Sequence, residues 1–327
     1  MRVAVVGAGI AGLAAARILQ RNDVETVVYE AEDHVGGRAE TVVLHGIPVD
    51  TGLQSYTPRG MSIENFLLNL LPKDGLTRIE KPIYLLNDSF ILPGSPEKNA
   101  QQRYTYETGA NRFPQLLADG LDVRISTKIE ALGRSGQKFI LESELFDAVI
   151  LSPPAPETRR LLQTLGSGRN ITNARYRPCL SVCLGFSVPL RDVPYSALLS
   201  LERTAPLLWL GIETSKCPRR APEGKTVFVA QLGPLYSKEH FQDSDESLLA
   251  VVVPTLVRLY GTAFQNPDWV YVRRWSISQP ESVALFENIN PPGTRVIICG
   301  DGTVAGRAEN AFESGVMAAK RILALMK

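Results

Sequence analysis

The sequence predicts an α/β fold in which a parallel sheet is interleaved with an α+β domain built on antiparallel sheet, and three observations carry this. Residues Val3 to Val6 form a buried-strand pattern, the turn Gly7-Ala-Gly9-Ile-Ala-Gly12 follows, and an Ala/Leu-rich helix runs to Gln20 before β-branched Val24 to Tyr29 closes a βαβ unit. The same order of strand, glycine turn and helix returns near the other end: Thr294 to Cys299, Gly300-Asp301-Gly302, and a helix from about Ala308 to Met326. Between these units the pattern switches repeatedly between hairpin-like and βαβ-like segments, so the chain should cross between two domains several times.

Taken in order, Thr41 to Val49 predicts a hairpin turning at His45-Gly46, and Ser62 to Leu71 a capped apolar helix stopped by Pro72. Residues 81 to 105 mix short strands with turns at Asn87-Asp88 and Pro93-Gly94, which reads as antiparallel sheet. From Gly109 a helix is expected near Asn111 to Leu117, then strands at Asp122 to Ile125, Lys128 to Leu132, Lys138 to Glu142 and Ala148 to Leu151, ended by Ser152-Pro-Pro-Ala-Pro156. Further strands are expected around 179 to 188, 207 to 213 and 226 to 232, with a helix from about Asp245 to Tyr260. One domain then comprises 1–57, 106–155 and 290–327, and the other 58–105 and 156–289.

Composition limits the partners. With 35 Lys plus Arg against 34 Asp plus Glu the net charge is +1, so no global field attracts nucleic acid or an anionic membrane. A hydrophobic fraction of 44% suits a full-sized globular core. The three histidines, His34, His45 and His240, and the four cysteines lack the close spacing of zinc ligands, so no metal site is expected. Cys179 and Cys183 share one face of an apolar strand, and with Cys217 and Cys299 they read as buried free thiols, which points to a cytoplasmic protein. The uncharged stretch Val3 to Ala16 has no basic leader and falls short of the roughly 18 residues of a membrane span, so no integral membrane segment is expected.

The chemistry lies in the glycine turns. In Gly7-Ala-Gly9-Ile-Ala-Gly12 the first glycine makes the tight turn, the second lets backbone approach a pyrophosphate and the third lets the helix pack closely. The helix N-terminus then faces the phosphates, and Glu30, ending the second strand, is placed to bind both ribose hydroxyls and to repel a 2′-phosphate. Gly36-Gly37-Arg38 adds close backbone approach and a guanidinium that can fork onto phosphate oxygens, which suits a cofactor with a diphosphate and a bulky second half.

These three features together resemble the FAD-dependent amine oxidase superfamily, and the stretch from Cys299-Gly300-Asp301 through Arg307, Glu309 and Gly315 resembles its second flavin motif. The match is closest to the short renalase-like branch: Asp50-Thr-Gly52-Leu-Gln54-Ser55-Tyr56 resembles its D-x-G-x-Q segment, and Leu235-Tyr236-Ser237-Lys-Glu-His240 its W-S-x-x-H stretch with Tyr236 in place of tryptophan. Tyr271 to Trp275 stands where that branch has an arginine or histidine before tryptophan. The resemblance implies a Rossmann-like FAD-binding domain and non-covalent FAD held by Gly7, Gly9, Ala11, Gly12, Glu30, Gly37, Arg38, Gln54, Ser55, the strand around Ile129, Asp301 and Glu309. It implies substrate contacts at Tyr56, Tyr236, His240, Arg274 and Trp275, though His240 also reads as a surface imidazole and Trp275 as core.

Flavin chemistry asks little acid or base work of the protein, and no catalytic residue is singled out. The expected activity is hydride transfer from a small amine or a dihydronicotinamide-type substrate to the flavin, with oxygen as the acceptor, in a monomer or dimer. Two other readings stay open: an FAD-binding redox sensor or scaffold without turnover, and a desaturase or porphyrinogen-type oxidase. The last would call for an amphipathic membrane-facing element, and the sequence has no basic helix rich in aromatics.

Overall fold

A computed structural model describes residues 1–59, 61–88 and 90–326. The chain opens with β1 (Arg2–Val6), α1 (Ile10–Gln20) and β2 (Glu25–Tyr29), and β1 and β2 pair in parallel as the apolar pattern requires. β3 (Thr41–Leu44) and β4 (Ile47–Asp50) form the expected hairpin. Its two turn residues, His45 at φ +51° and Gly46 at φ +79°, are both left-handed, the combination a type I′ turn requires. The helix expected to Leu71 is shorter and changes character: α2 (Ser62–Asn65) continues as a π-helical turn over Phe66–Leu70, and Phe66 meets Phe312 with ring centroids 5.1 Å apart.

β5 (Leu76–Arg78), β6 (Ile83–Asn87), β7 (Phe90–Leu92), α3 (Pro96–Asn99), β8 (Tyr104–Tyr106), α4 (Arg112–Ala118) and β9 (Asp122–Arg124) follow. Residues 128–132, expected as a strand, form no ladder. Ile129 and Leu132 are nevertheless buried, so their apolar pattern reflects burial without strand pairing. β10 (Gly133–Ser135), β11 (Lys138–Leu141) and β12 (Glu144–Phe146) make a small antiparallel sheet, and β13 (Ala148–Leu151) returns to the parallel one. The proline cluster that looked like a plain break starts α5 (Ala155–Thr164), because a proline in the first turn removes an N–H that has no helical partner.

The remaining elements are β14 (Arg175–Phe186), β15 (Ala197–Ser200), β16 (Leu207–Ile212), α6 (Glu213–Lys216), β17 (Thr226–Leu232), α7 (Pro234–Glu239), α8 (Asp245–Tyr260), β18 (Trp269–Ser282), α9 (Phe286–Ile289), β19 (Val296–Ile298) and α10 (Ala308–Ala324). The five-stranded parallel sheet has the order β19-β13-β1-β2-β9, so residues from the start, middle and end of the chain alternate across it. α1 and α10 cover one face around Leu13, Leu19, Phe312 and Ile322, all fully buried, each such side chain stabilising the fold by about 1.5–3 kcal/mol. The seven-stranded sheet has the order β18-β14-β17-β16-β15-β6-β7. One of its faces packs on α8 through Leu180, Val182, Leu184 and Phe228; part of the other meets the β3–β4 hairpin. Among the described residues no helix is long and apolar enough to cross a membrane.

Candidate functional site

A cavity of ≈ 700 Å³ lies where the C-terminal ends of β1, β2, β13 and β19 meet the seven-stranded sheet. A pocket at the carboxyl ends of parallel strands is where open α/β sheets bind ligands, and this volume is in the usual range for small-molecule sites.

The first glycine turn forms its rim. Gly7 has φ +94° and donates its N–H to the Tyr29 carbonyl at 2.7 Å. A Cβ at Gly12 would sit 2.0 Å from the Gly7 carbonyl oxygen, so that position has no room for one. At Gly9, by contrast, a Cβ would meet no protein atom within 4 Å: here bare backbone borders the cavity, at the start of α1. That cradle, backed by helix N–H groups without intrahelical partners, suits a diphosphate. The Glu30 carboxylate is held beside it, accepting from the Ala8 N–H at 2.6 Å and the Glu32 N–H at 3.0 Å.

Arg38 and Asp301 close the other side as a bidentate pair, at 2.7 and 2.9 Å. Arg38 also donates to the Ser278 carbonyl at 2.8 Å, and the Tyr176 hydroxyl donates to Asp301 at 3.2 Å. Burial opposes the charge on Arg38, but Asp301 more than offsets it and holds the guanidinium protonated. These groups, with Gly9 and Glu30, are a donor set that fits FAD: open backbone for the diphosphate, a carboxylate for ribose, and a guanidinium fork.

The sheet side of the cavity is a polar rung. Register places Arg273, Ser181, Gln231 and Trp209 side by side across β18, β14, β17 and β16, and a bulge between Leu207 and Trp209 turns Leu208 to the cavity as well. Arg273 pairs with Glu40 at 2.9 Å and lies 4.3 Å from the Trp275 ring centroid. Trp275 donates to the Thr51 carbonyl at 3.1 Å and Gln231 to the Gly52 carbonyl at 2.8 Å, so the sheet grips the loop after β4.

Beneath that loop sits a buried ionic quartet. Asp50 accepts from Lys216 at 2.9 Å and Arg220 at 2.6 Å, and both cations also pair with Glu213; none of the four side chains is more than 5% exposed. Burial alone would raise the Asp50 carboxyl, but Arg220 and Lys216 hold it well below the usual carboxylate range.

Of the residues read from the sequence, Gly7, Gly9, Ala11, Glu30, Gly37, Arg38, Ile129, Asp301, Arg274 and Trp275 line the cavity. Gly12 serves packing beneath it. Gln54 donates to the Asp50 and Gly52 carbonyls, leaving its Oε1 buried without a partner, and Ser55 follows it outside the lining. Glu309 accepts from the Thr57 N–H and is not among the lining residues, although its neighbour Ala308 is. Tyr56 is fully buried and donates to the Ala110 carbonyl at 2.6 Å, so it cannot touch a substrate. His240 stacks on Tyr236 at 4.0 Å and pairs with Asp243, outside the cavity, and the Arg274 guanidinium is taken up by the Phe241 and Asp243 carbonyls and by Asp245. Glu40, Glu157, Trp209, Gln231 and Arg273 were missed; a polar residue in an otherwise apolar strand, as at Gln231, was the available signal. Cys179 also lines the cavity instead of being buried with the other thiols.

A family profile described as flavin containing amine oxidoreductase matches residues 82–323, and one for an NAD(P)-binding Rossmann-like domain matches 5–67. Polyamine oxidase 3 of Oryza sativa subsp. japonica is 32% identical over 132 residues, covering 40% of this chain and 25% of that protein. The chain aligns with a quarter or less of the length of the curated relatives it matches. Among solved structures, reduced UDP-galactopyranose mutase superposes with a TM-score of 0.78 at 12% identity, over 99% of this chain and 96% of that one. Cyclohexylamine oxidase from Brevibacterium oxydans IH-35A gives 0.72 at 13% identity, over 100% and 99%. At such identities the likeness is one of fold, and these two names already span different chemistry.

Proposed function

The chain belongs to the family of flavin-containing amine oxidoreductases, with FAD as its cofactor, and on that premise we propose that it oxidises a dihydronicotinamide-type donor in preference to a small amine, with oxygen as the acceptor. The observation that carries this reading is the charge at the sheet side of the cavity. Its one carboxylate among the lining residues there, Glu40, is engaged by Arg273, and the same guanidinium covers a face of Trp275. An ammonium ion entering at that end would find no free carboxylate, and one face of Trp275 is already taken by Arg273. The phosphate of a nucleotide would instead meet Arg177, which lines the cavity and has no carboxylate partner among the described residues.

Bound FAD supplies the two-electron acceptor, and the work left to the protein is binding, orientation and exclusion of competing reactions. Arg273 and Gln231 put polar atoms on this floor for a planar, hydrogen-bonding ring, while Leu208, Ile277 and the Trp275 ring exclude water. The grip of Trp275 and Gln231 on the Thr51 and Gly52 carbonyls fixes the distance between this floor and the glycine-rich rim.

The test is anaerobic mixing of the yellow protein with reduced nicotinamide nucleotides and, separately, with putrescine and simple monoamines. Rapid bleaching of the flavin by the nucleotide is expected. Bleaching by an amine with none by the nucleotide would overturn the reading, and bleaching by neither would favour a binding protein without turnover.

A further inference from the structure

A second cavity, of ≈ 370 Å³, opens at the far end of β19 from Asp301, beside Thr294 to Val296. About six residues of extended chain at roughly 3.3 Å each put the two sites some 20 Å apart. Its lining includes three arginines, Arg134 on β10, Arg169 in the loop after α5, and Arg295 before β19, and contains no Asp or Glu. Among the described residues none of the three makes an ion pair. The arginines of the neighbouring strands behave differently: Arg2 and Arg124 are both neutralised by Glu144, with Glu25 and Asp122 as further partners.

Two of the three groups are also held in place. Arg169 donates to the Val296 carbonyl at 2.7 Å and the Ile289 carbonyl at 3.4 Å, and its Nη2 has no protein acceptor among the described residues. Arg134 lies over the Phe139 ring at 5.4 Å. Burial and the nearby Arg134 both push the Arg169 guanidinium below its ordinary range, which is the mark of uncompensated positive charge. Keeping like charges in one concavity costs stability that an anion would restore, and guanidinium forks match phosphate oxygens.

We infer that this cavity is a binding site for a phosphate dianion, free or as the terminal monoester of a small molecule, separate from the flavin cavity. Its size suits a small ligand; an acidic protein surface would need a wider patch.

The test titrates inorganic phosphate, and separately 5′-AMP, into the FAD-loaded protein by calorimetry at constant ionic strength, with sodium chloride as the control. Saturable binding is expected, weakened at least tenfold in the double variant Arg134→Gln, Arg295→Gln, whose exposed side chains can change without loss of flavin or of the folded state. Arg169 is left alone because it ties two backbone carbonyls. Binding of both probes supports a site for phosphate from either source, and binding of 5′-AMP alone assigns the site to monoesters. Heats no different from chloride, binding unchanged in the double variant, or binding seen only in flavin-free protein would each overturn the inference.

Discussion

Replacing Asp50 by Asn removes one charge from the buried quartet while keeping its shape. The carboxylate takes four hydrogen bonds: from Lys216 at 2.9 Å, Arg220 at 2.6 Å, the Ala110 N–H at 2.8 Å and the Thr41 hydroxyl at 2.7 Å. In the variant two buried cations share Glu213 alone, and the cluster carries a net positive charge. Removing one partner of a buried pair costs about 3–5 kcal/mol, and because Glu213 still contacts both cations we expect the lower end, about 3 kcal/mol in urea unfolding. Adding Lys216→Met restores neutrality, so the double variant should recover about 1–3 kcal/mol relative to the sum of the singles. Additivity within about 0.5 kcal/mol would refute the ionic reasoning. The pH dependence gives a second check. The folded Asp50 carboxyl lies below its unfolded value of about 3.9, so its contribution is present above that pH and fades as pH falls toward the folded value. The Asn variant should therefore show a flatter acid limb below about pH 4 than the parent.

The glycine turn offers a paired test. Gly9→Ala should leave the flavin-free protein's thermal stability nearly unchanged yet weaken FAD at least tenfold, because the new methyl meets only the cavity, whereas Gly12→Ala meets the Gly7 oxygen at 2.0 Å and should destabilise the fold by about 1–3 kcal/mol or more; equal effects on both properties would contradict the division of labour. Arg38→Ala should lower the flavin-to-protein absorbance ratio after gel filtration, and Arg38→Lys should restore it only in part, since an ammonium cannot replace the bidentate fork on Asp301; full flavin retention by the Ala variant would remove Arg38 from the site. Native protein should expose one slow thiol to an aromatic disulfide reagent, Cys179, whose thiol burial pushes up to about 11, and FAD should block it; labelling of Cys183, Cys217 or Cys299 first would be inconsistent with their burial.

What could be read in the sequence was what depends on neighbours along the chain. The turn at Gly7 to Gly12, the His45-Gly46 hairpin and the Asp301 turn each draw their geometry from a few adjacent residues, so their patterns were visible. Contacts between distant residues were not. Arg220 meets Asp50 across 170 positions and Arg273 meets Glu40 across 233, and nothing near either arginine marks it as different from Arg219 or Arg274, which pair with Glu107 and Asp245. Tyr56 shows the converse error: its place in a motif suggested a substrate contact, while its hydroxyl is consumed by a backbone carbonyl inside the core. The segment around Ile129 failed for a third reason, since an apolar alternation reports burial and cannot report whether a neighbouring strand is there to pair with it.

The strand order β19-β13-β1-β2-β9 also bears on how the molecule comes into being. β13 carries Val149, Ile150 and Leu151 on the edge that β19 later covers, and α10 later covers α1. Until residues 296–324 leave the ribosome, a nascent chain displays an unpaired apolar strand edge and a bare helix face together, the combination that invites pairing with other chains. Slow translation through the last stretch, or its proteolytic loss, should therefore produce aggregates and not a soluble shortened form. Asp301 and its guanidinium partner come together only at that stage, so if the pair holds FAD, as the Arg38 variants test, loading should follow synthesis of this stretch.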